Sequence, residues 1–560
     1  MAARATRAAQ RRRTAQVVAI VAAYLVSFAF VLRHAFYGVD LQDEAYYLEL
    51  ARRFATGDTP VRSEASLHQF AAVIEIPLVK AYLMLHGSTD GIVLFSRIAY
   101  VCVLACAILA TVWSLKRLMG LLPAFLVCLP LVFFEPMAIA ALSYNSISAL
   151  AFLLCCTWGL DATIPGSGTG SAVASGVLGG VAAFAYPPLL IAVIPTIGIL
   201  AVRSGRIHGV RRTWTLVGAC AAVLLIEAVA LAHWGLRDLA ADINLMLKSS
   251  ARYSSGYGPQ LSSILDRVTT VLAGAPVAAI LLVGAVASVK RAPRLEVLFL
   301  LGLPIAVFVA SLGSWMQANT ALWLLGLCAI GLYWGVRDEL HARNVLWALV
   351  LPGLMAGAVV SFSSFIGEAV AGQGMLPAAV ASIVFGWWML ASVASDDEPV
   401  VQQVLPALFP VVLALGFGLI HGSSVFHDPA ALREGRLVRI GPWAGLRTTA
   451  ERVKYVETLQ RDLGQLSSRN RPILALDGIP GAYLAAEGVD VAPMIWIPYA
   501  GEARASIVQR VEQGRSPDIV VQDTSYTTPT PVPDPFAVYL RDGRYRVVIT
   551  RRWYQVYVRK

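Results

Sequence analysis

Residues 14–47 read TAQVVAIVAAYLVSFAFVLRHAFYGVDLQDEAYY. An apolar run of about 20 residues, long enough to cross a bilayer as a helix, ends at Arg33 and His34, and three carboxylates follow closely: Asp40, Asp43 and Glu44. Arg4, Arg7, Arg11, Arg12 and Arg13 precede the run and no small-residue cleavage pattern follows it. It therefore reads as a retained first span with a cytoplasmic N-terminus, which puts the acids in the first loop on the opposite face. An acidic cluster beside a bilayer repels nucleic-acid phosphates and anionic headgroups alike, so its presence there points to chemistry.

The rest of the chain repeats the membrane pattern. Hydrophobic residues make up 57% of 560 positions, charged residues 14%, and the mean hydropathy is +0.65. That is the composition of a polytopic α-helical membrane protein. Apolar runs of spanning length fall at 14–33, 92–115, 121–136, 142–160, 171–187, 188–202, 213–234, 266–289, 295–313, 319–335, 344–364, 376–394 and 401–420. Thirteen spans put Lys116-Arg117, the Arg203–Arg212 run, Lys290-Arg291-Arg294 and the Arg337/Arg343 loop on the side of the N-terminus, as the positive-inside rule requires for a multi-pass protein of the plasma membrane. The net charge of +10 is then topological, not a nucleic-acid footprint. All seven cysteines lie in apolar segments, so neither a disulfide framework nor a Cys-based metal site is implied.

Charge is segregated along the chain, at about 11% of residues 1–421 against about 24% of residues 422–560. Two units are expected: a membrane domain over 1–421, whose outer loop 34–91 carries the acids, and an extracytoplasmic α/β domain over 422–560. In the second unit Thr449–Leu466 has helical period, while 472–476, 518–521, 545–549 and 553–557 read as strands. Within the first loop, 41–56 reads as a helix ending at Gly57, and 67–85 as an amphipathic stretch interrupted by Pro77. Both are expected along the membrane surface. A purely structural reading of the acids exists: Asp40 as N-cap, Asp43 in the first turn, and all three complementing the helix dipole.

The run Asp43-Glu44-Ala45-Tyr46-Tyr47 resembles the Asp-Glu first-loop motif of the GT-C glycosyltransferases, the superfamily of dolichyl-phosphate-mannose protein mannosyltransferases and lipid A aminoarabinose transferases. The similarity continues through Ile76-Pro77-Leu78, His86-Gly87, Ser96-Arg97-Ile98 and Lys116-Arg117-Leu118-Met119-Gly120. Many spans followed by an outer C-terminal domain is also the family plan. The resemblance implies inverting transfer of a sugar from a polyprenyl-phosphate donor to an acceptor glycan, lipid or protein on the extracytoplasmic face, with the bilayer as host and no nucleic acid involved.

On that reading Asp43 is the general base that takes a proton from the acceptor. Glu44 orients the acceptor or Asp43, and Asp40 and Tyr46 line the substrate. Candidate contacts to the lipid phosphate are Arg97, Lys80, Lys248, Arg252, Tyr253 and Tyr257, the last four in a charged, Gly/Ser/Tyr-rich outer loop at 235–265. Two departures from the family pattern stand out. Asn145 occupies the position of a second-loop acid, with Glu135 ten residues earlier, and Ala185-Tyr186-Pro187 lacks the Lys that many relatives place before that proline. No cofactor is firmly implied, although Asp40, Asp43 and Glu44 leave room for a divalent cation. Competing readings are a lipid-linked sugar flippase or transporter, a polymerase or ligase using a diphosphate-linked donor, and a non-catalytic envelope-assembly protein.

Overall fold

A computed structural model describes residues 2–243, 293–312, 316–364, 370–393, 399–423, 425, 427–495, 502–524, 534–541 and 543–560. Helix α1 (Ala2–His34) carries the first apolar run, and α2 (Asp43–Thr56) opens at the acids. Helix α3 (Gln69–His86) continues through Pro77 and stops at the left-handed Gly87, and α4 (Ile92–Met119) follows. Among the described residues ten helices are long and apolar enough to cross a membrane, and the protein is a polytopic helical membrane protein with a C-terminal α/β region. Three more of the expected spans coincide with shorter apolar helices at Thr169–Ala185, Phe299–Ser311 and Leu376–Ser392. The run at 266–289 lies outside the described residues.

The C-terminal region is built on strands β1 (Arg436–Leu437) and β2 (Arg447–Thr448), which pair antiparallel, and on a five-stranded sheet. Its strands are β3 (Pro472–Leu476), β4 (Val489–Asp490), β5 (Ile519–Asp523), β6 (Tyr545–Thr550) and β7 (Tyr554–Arg559), in the order β4-β3-β5-β7-β6. The β3 strand, wholly buried, pairs parallel with β4 and β5, while β7 runs antiparallel to both of its neighbours. The helix Ala450–Gln465 starts where Thr449 accepts the N–H of Arg452, which satisfies one orphan donor of its first turn.

The first loop and this α/β region are sewn together by main-chain hydrogen bonds. Gly38 donates to the Arg447 carbonyl, Arg447 to Phe36, Gly481 to Leu41, Gly91 to Gly441, Val93 to Pro442 and Ala65 to Pro493. Gly38 has φ +86, and a Cβ there would fall 2.0 Å from Val425, so only glycine lets the chain pass beneath that residue. Charged residues complete the junction. Arg53 reaches Asp58 at 2.7 Å and both Glu64 and Asp490 at 3.2 Å, and Arg52 grips Glu49 through two 2.6 Å bonds. Helix α2, whose charges read as solvent-facing in the sequence, is enclosed by the protein: every residue from Glu44 to Phe54 is buried. Its Glu49, Arg52 and Arg53 satisfy one another and the α/β region instead of facing water. The 67–85 stretch forms one helix that continues through Pro77 and is not interrupted there; the α/β region meets the chain at both of its ends, through Ala65 and Pro493 on one side and Gly87 and Arg469 on the other.

Candidate active site

The acids of the first loop separate into two groups with opposite surroundings. Asp40 precedes α2 and folds back on it, accepting the N–H of Gln42 at 3.0 Å and of Glu44 at 2.8 Å. It performs the capping task from two residues upstream of the cap position, which Gln42 holds. The same carboxylate meets His427 Nδ1 at 3.2 Å, a residue just beyond the last long helix. Burial alone would raise the Asp40 carboxyl, but the His427 hydrogen bond and charge and the two N–H donors outweigh it and hold the group below the usual range.

Asp43 is the first helical residue and is half-buried. Its carboxylate forms no hydrogen bond or ion pair among the described residues. Burial and the neighbouring Asp40 charge push it up to about 7, with His427 opposing. His427 in turn is raised, because Asp40 and Asp43 overcome the cost of its burial. One carboxylate is kept ionised and its neighbour is poised near neutrality, the split that equips a site for proton transfer. The two carboxylates and the His427 imidazole also bring one ligand atom each within 4.8 Å of one another, a donor set suited to a divalent cation.

Glu44 points the other way. Arg97, on α4, grips both of its oxygens at 2.6 Å and sends its remaining N–H groups to the carbonyls of Ala35, Tyr37 and Gly38. All five guanidinium donors are used and Arg97 is 6% exposed, so it braces the loop and has no donor left for a phosphate. Glu44 has equally little freedom to orient an acceptor or ligate a cation. Lys80 is exposed on α3. Lys248, Arg252, Tyr253 and Tyr257 lie outside the described residues.

Asp43 stands near Asp40 and His427 on one side and near Tyr47 and Tyr144 on the other. On the α/β side a cleft of about 460 Å³ is lined by Asp40, Gln42, His427, Glu451, Arg452 and Trp553, among others. On the helical side stands an aromatic wall. Tyr46, whose hydroxyl donates to Ser66 at 2.7 Å, contacts Tyr47 edge-on at 5.4 Å. Tyr47 meets Tyr144 at 5.5 Å, and Tyr144 packs with Tyr186 at 5.4 Å and with His68, which stacks on it at 4.0 Å and 7° and lies 6.4 Å from Tyr186. Burial draws the His68 imidazole down to about 4, so it is neutral and stacks as an aromatic ring. Asn145 donates to the Tyr47 hydroxyl at 3.3 Å. Beyond it lies a water-sized cavity of about 10 Å³, reached by Asn145, Ser148, Tyr186 and Gln373, whose buried Nε2 has no partner among the described residues.

Sequence reading brings out Asp40, Asp43, Tyr46 and Asn145, and the structure gathers these around one position. It misses His427, Tyr47, Tyr144, His68 and Gln373. His427 carried one usable signal, a histidine in the segment that leaves the last span on the side of the acidic loop.

No family model and no curated protein sequence matches the chain. Among solved structures, ArnT from Cupriavidus metallidurans in the apo state is similar at 14% identity and a TM-score of 0.47, over 98% of each chain. The same protein bound to undecaprenyl phosphate is similar at 16% identity and a TM-score of 0.42, over 97% of this chain and 98% of that one.

Proposed function

We propose that this protein is an inverting glycosyltransferase that moves a sugar from a polyprenyl-phosphate donor to a hydroxyl or amine acceptor at the extracytoplasmic face of the plasma membrane. The observation that carries the reading is Asp43: a carboxylate without a partner among the described residues, held near 7, between a polar cleft and an aromatic wall. A structural cap would be hydrogen-bonded and acidic, as Asp40 is. Asp43 has the properties of a base.

The chemistry needs little else from the protein. The acceptor enters through the cleft, and as its oxygen attacks the anomeric carbon, its proton passes to a carboxylate oxygen of Asp43. The bond between that carbon and the phosphate oxygen breaks, and its electron pair leaves with the polyprenyl phosphate, an already ionised group that needs no strong acid. No lysine precedes Pro187, and Gln373, whose buried Nε2 has no partner among the described residues, is the neutral N–H donor that would serve this phosphate in its place. Asp40 stays charged through His427 and through the N–H groups of Gln42 and Glu44, and its charge keeps Asp43 basic. A divalent cation bound by Asp40, Asp43 and His427 would add positive charge beside the acceptor oxygen.

Purified full-length protein in detergent, incubated with a panel of polyprenyl-phosphate sugars and with candidate glycan and lipid acceptors, tests this by mass spectrometry of the products. Transfer by the wild type that collapses in Asp43→Asn is expected. Equal transfer by that variant removes the base assignment, and no transfer from any lipid-linked sugar removes the function.

A further inference from the structure

A second group of ligating side chains borders the Arg97 cage and has no part in that chemistry. His34 closes α1, His421 stands near the end of the long helix Pro399–Ser423, and Glu135 sits between two short helical turns, Leu129–Phe133 and Pro136–Ala138. All three are buried, at 6%, 5% and 6% exposure respectively. His421 Nδ1 comes to 2.8 Å from Glu135 Oε2, His34 Nδ1 to 3.9 Å from the same oxygen, and the two imidazole centroids are 4.1 Å apart. One ligand atom from each residue lies within 4.8 Å of the others.

Two further observations point to a bound cation. Neither ring nitrogen of His421 makes an aligned hydrogen bond among the described residues, despite the close approach of Nδ1 to the carboxylate. A buried imidazole with both nitrogens unsatisfied is costly, and donor atoms that converge without alignment on each other suit a third atom between them. The cluster also borders a water-sized cavity of about 10 Å³, lined by His34, Asp40, Glu44, Arg97 and Glu135 among others. The neighbouring acids are held by their own partners, Asp40 by His427 and Glu44 by Arg97, so Glu135 and the two imidazoles form a separate donor set.

We propose that His34, Glu135 and His421 bind a zinc-type divalent ion that ties the ends of the first and last long helices to the turn at Glu135. Two imidazoles and one carboxylate form a borderline donor set that suits zinc over calcium or magnesium, and the adjacent cavity has room for a water as fourth ligand. The site is distinct from the Asp40–Asp43–His427 cluster and independent of the glycosyltransferase reading.

The test uses full-length protein in detergent, stripped with chelator, loaded with zinc, desalted and analysed for metal content and thermal stability. His421→Gln and Glu135→Gln are each expected to retain one zinc per chain fewer than the wild type, and to lose the zinc-dependent rise in Tm. Asp43→Asn should keep the zinc-dependent rise in Tm, whatever its effect on transfer or on metal held at the Asp40–Asp43–His427 cluster. Equal zinc in wild type and His421→Gln, or none in the wild type, overturns the proposal. Should the variants fail to fold, cobalt-loaded wild type decides: the visible bands of a four-coordinate nitrogen-ligated ion are expected, and their absence refutes the site.

Discussion

Asp43 and Glu44 are adjacent, open the same helix and carry the same functional group, yet they belong to different machines. Glu44 is locked into a two-pronged ion pair with Arg97, and that guanidinium also ties down three loop carbonyls. Asp43, one residue earlier, faces the Asp40–His427 pair and is left to titrate. A helix turns about 100° per residue, so neighbours point to different surroundings. One of those surroundings is saturated and rigid, the other polar and accessible through the cleft. The two-residue motif therefore combines an anchored carboxylate with an unpaired one, and under the proposed function the anchor fixes where the base stands.

The comparison can be broken most forcefully at the anchor. Arg97→Met leaves Glu44 buried without its cation and strips donors from three carbonyls, so a loss of roughly 3–5 kcal/mol is expected, read as a collapse of folded yield and Tm in detergent. Adding Glu44→Gln should recover much of that loss, because the stranded charge is gone. An Arg97→Met protein as stable as the wild type would show the cage to be unimportant.

At the reactive group the expected pattern is the reverse. Asp43→Asn should lower transfer by about 10²–10⁴-fold, the usual worth of general-base catalysis, while leaving the protein folded. Its stability effect has a definite sign. The folded-state carboxyl is raised from 3.8 to about 7, so the stability it contributes in the protonated form is lost as pH rises through that window. The variant should therefore match or exceed the wild-type Tm above neutral pH and lose that advantage in acid. Melting curves at both ends of the window check this.

The smallest effect is expected between the regions. Tyr47→Phe removes the hydroxyl that accepts from Asn145 at 3.3 Å and should cost about 0.5–1.5 kcal/mol of stability, with the fold intact. A much larger loss would mean that the aromatic wall depends on this bond.

What the sequence conveyed follows from how local each signal is. Spans such as Ile92–Met119 declare themselves by apolar length, and the helix after Thr449 by its cap and period. Asp43 is legible because its motif and its loop position are local. The burial of α2 is not, because Glu49, Arg52 and Arg53 look like surface charges until Gly488, Asp490 and Ala492 arrive from over 400 residues away. The same distance hides His427, which meets Asp40 across 387 positions. Arg97 misleads for a different reason: a cation at a helix end resembles a phosphate ligand, and only the geometry shows that its donors are spent. Helix α3 contains Pro77, which reads as an interruption in the sequence, although the helix runs on through it and its neighbours bury Gln69, Phe70, Glu75 and Tyr82.

The most direct test of Asp43 as the base is the pH dependence of kcat/KM across the neutral range, in the wild type and in His427→Gln. The wild-type rate should rise with pH along a limb of apparent pKa about 7, as the carboxylate forms. In His427→Gln that limb should move to higher pH, because the cation that favours ionised Asp43 is gone. A rate independent of pH through neutrality, or an identical limb in both proteins, would contradict the assignment.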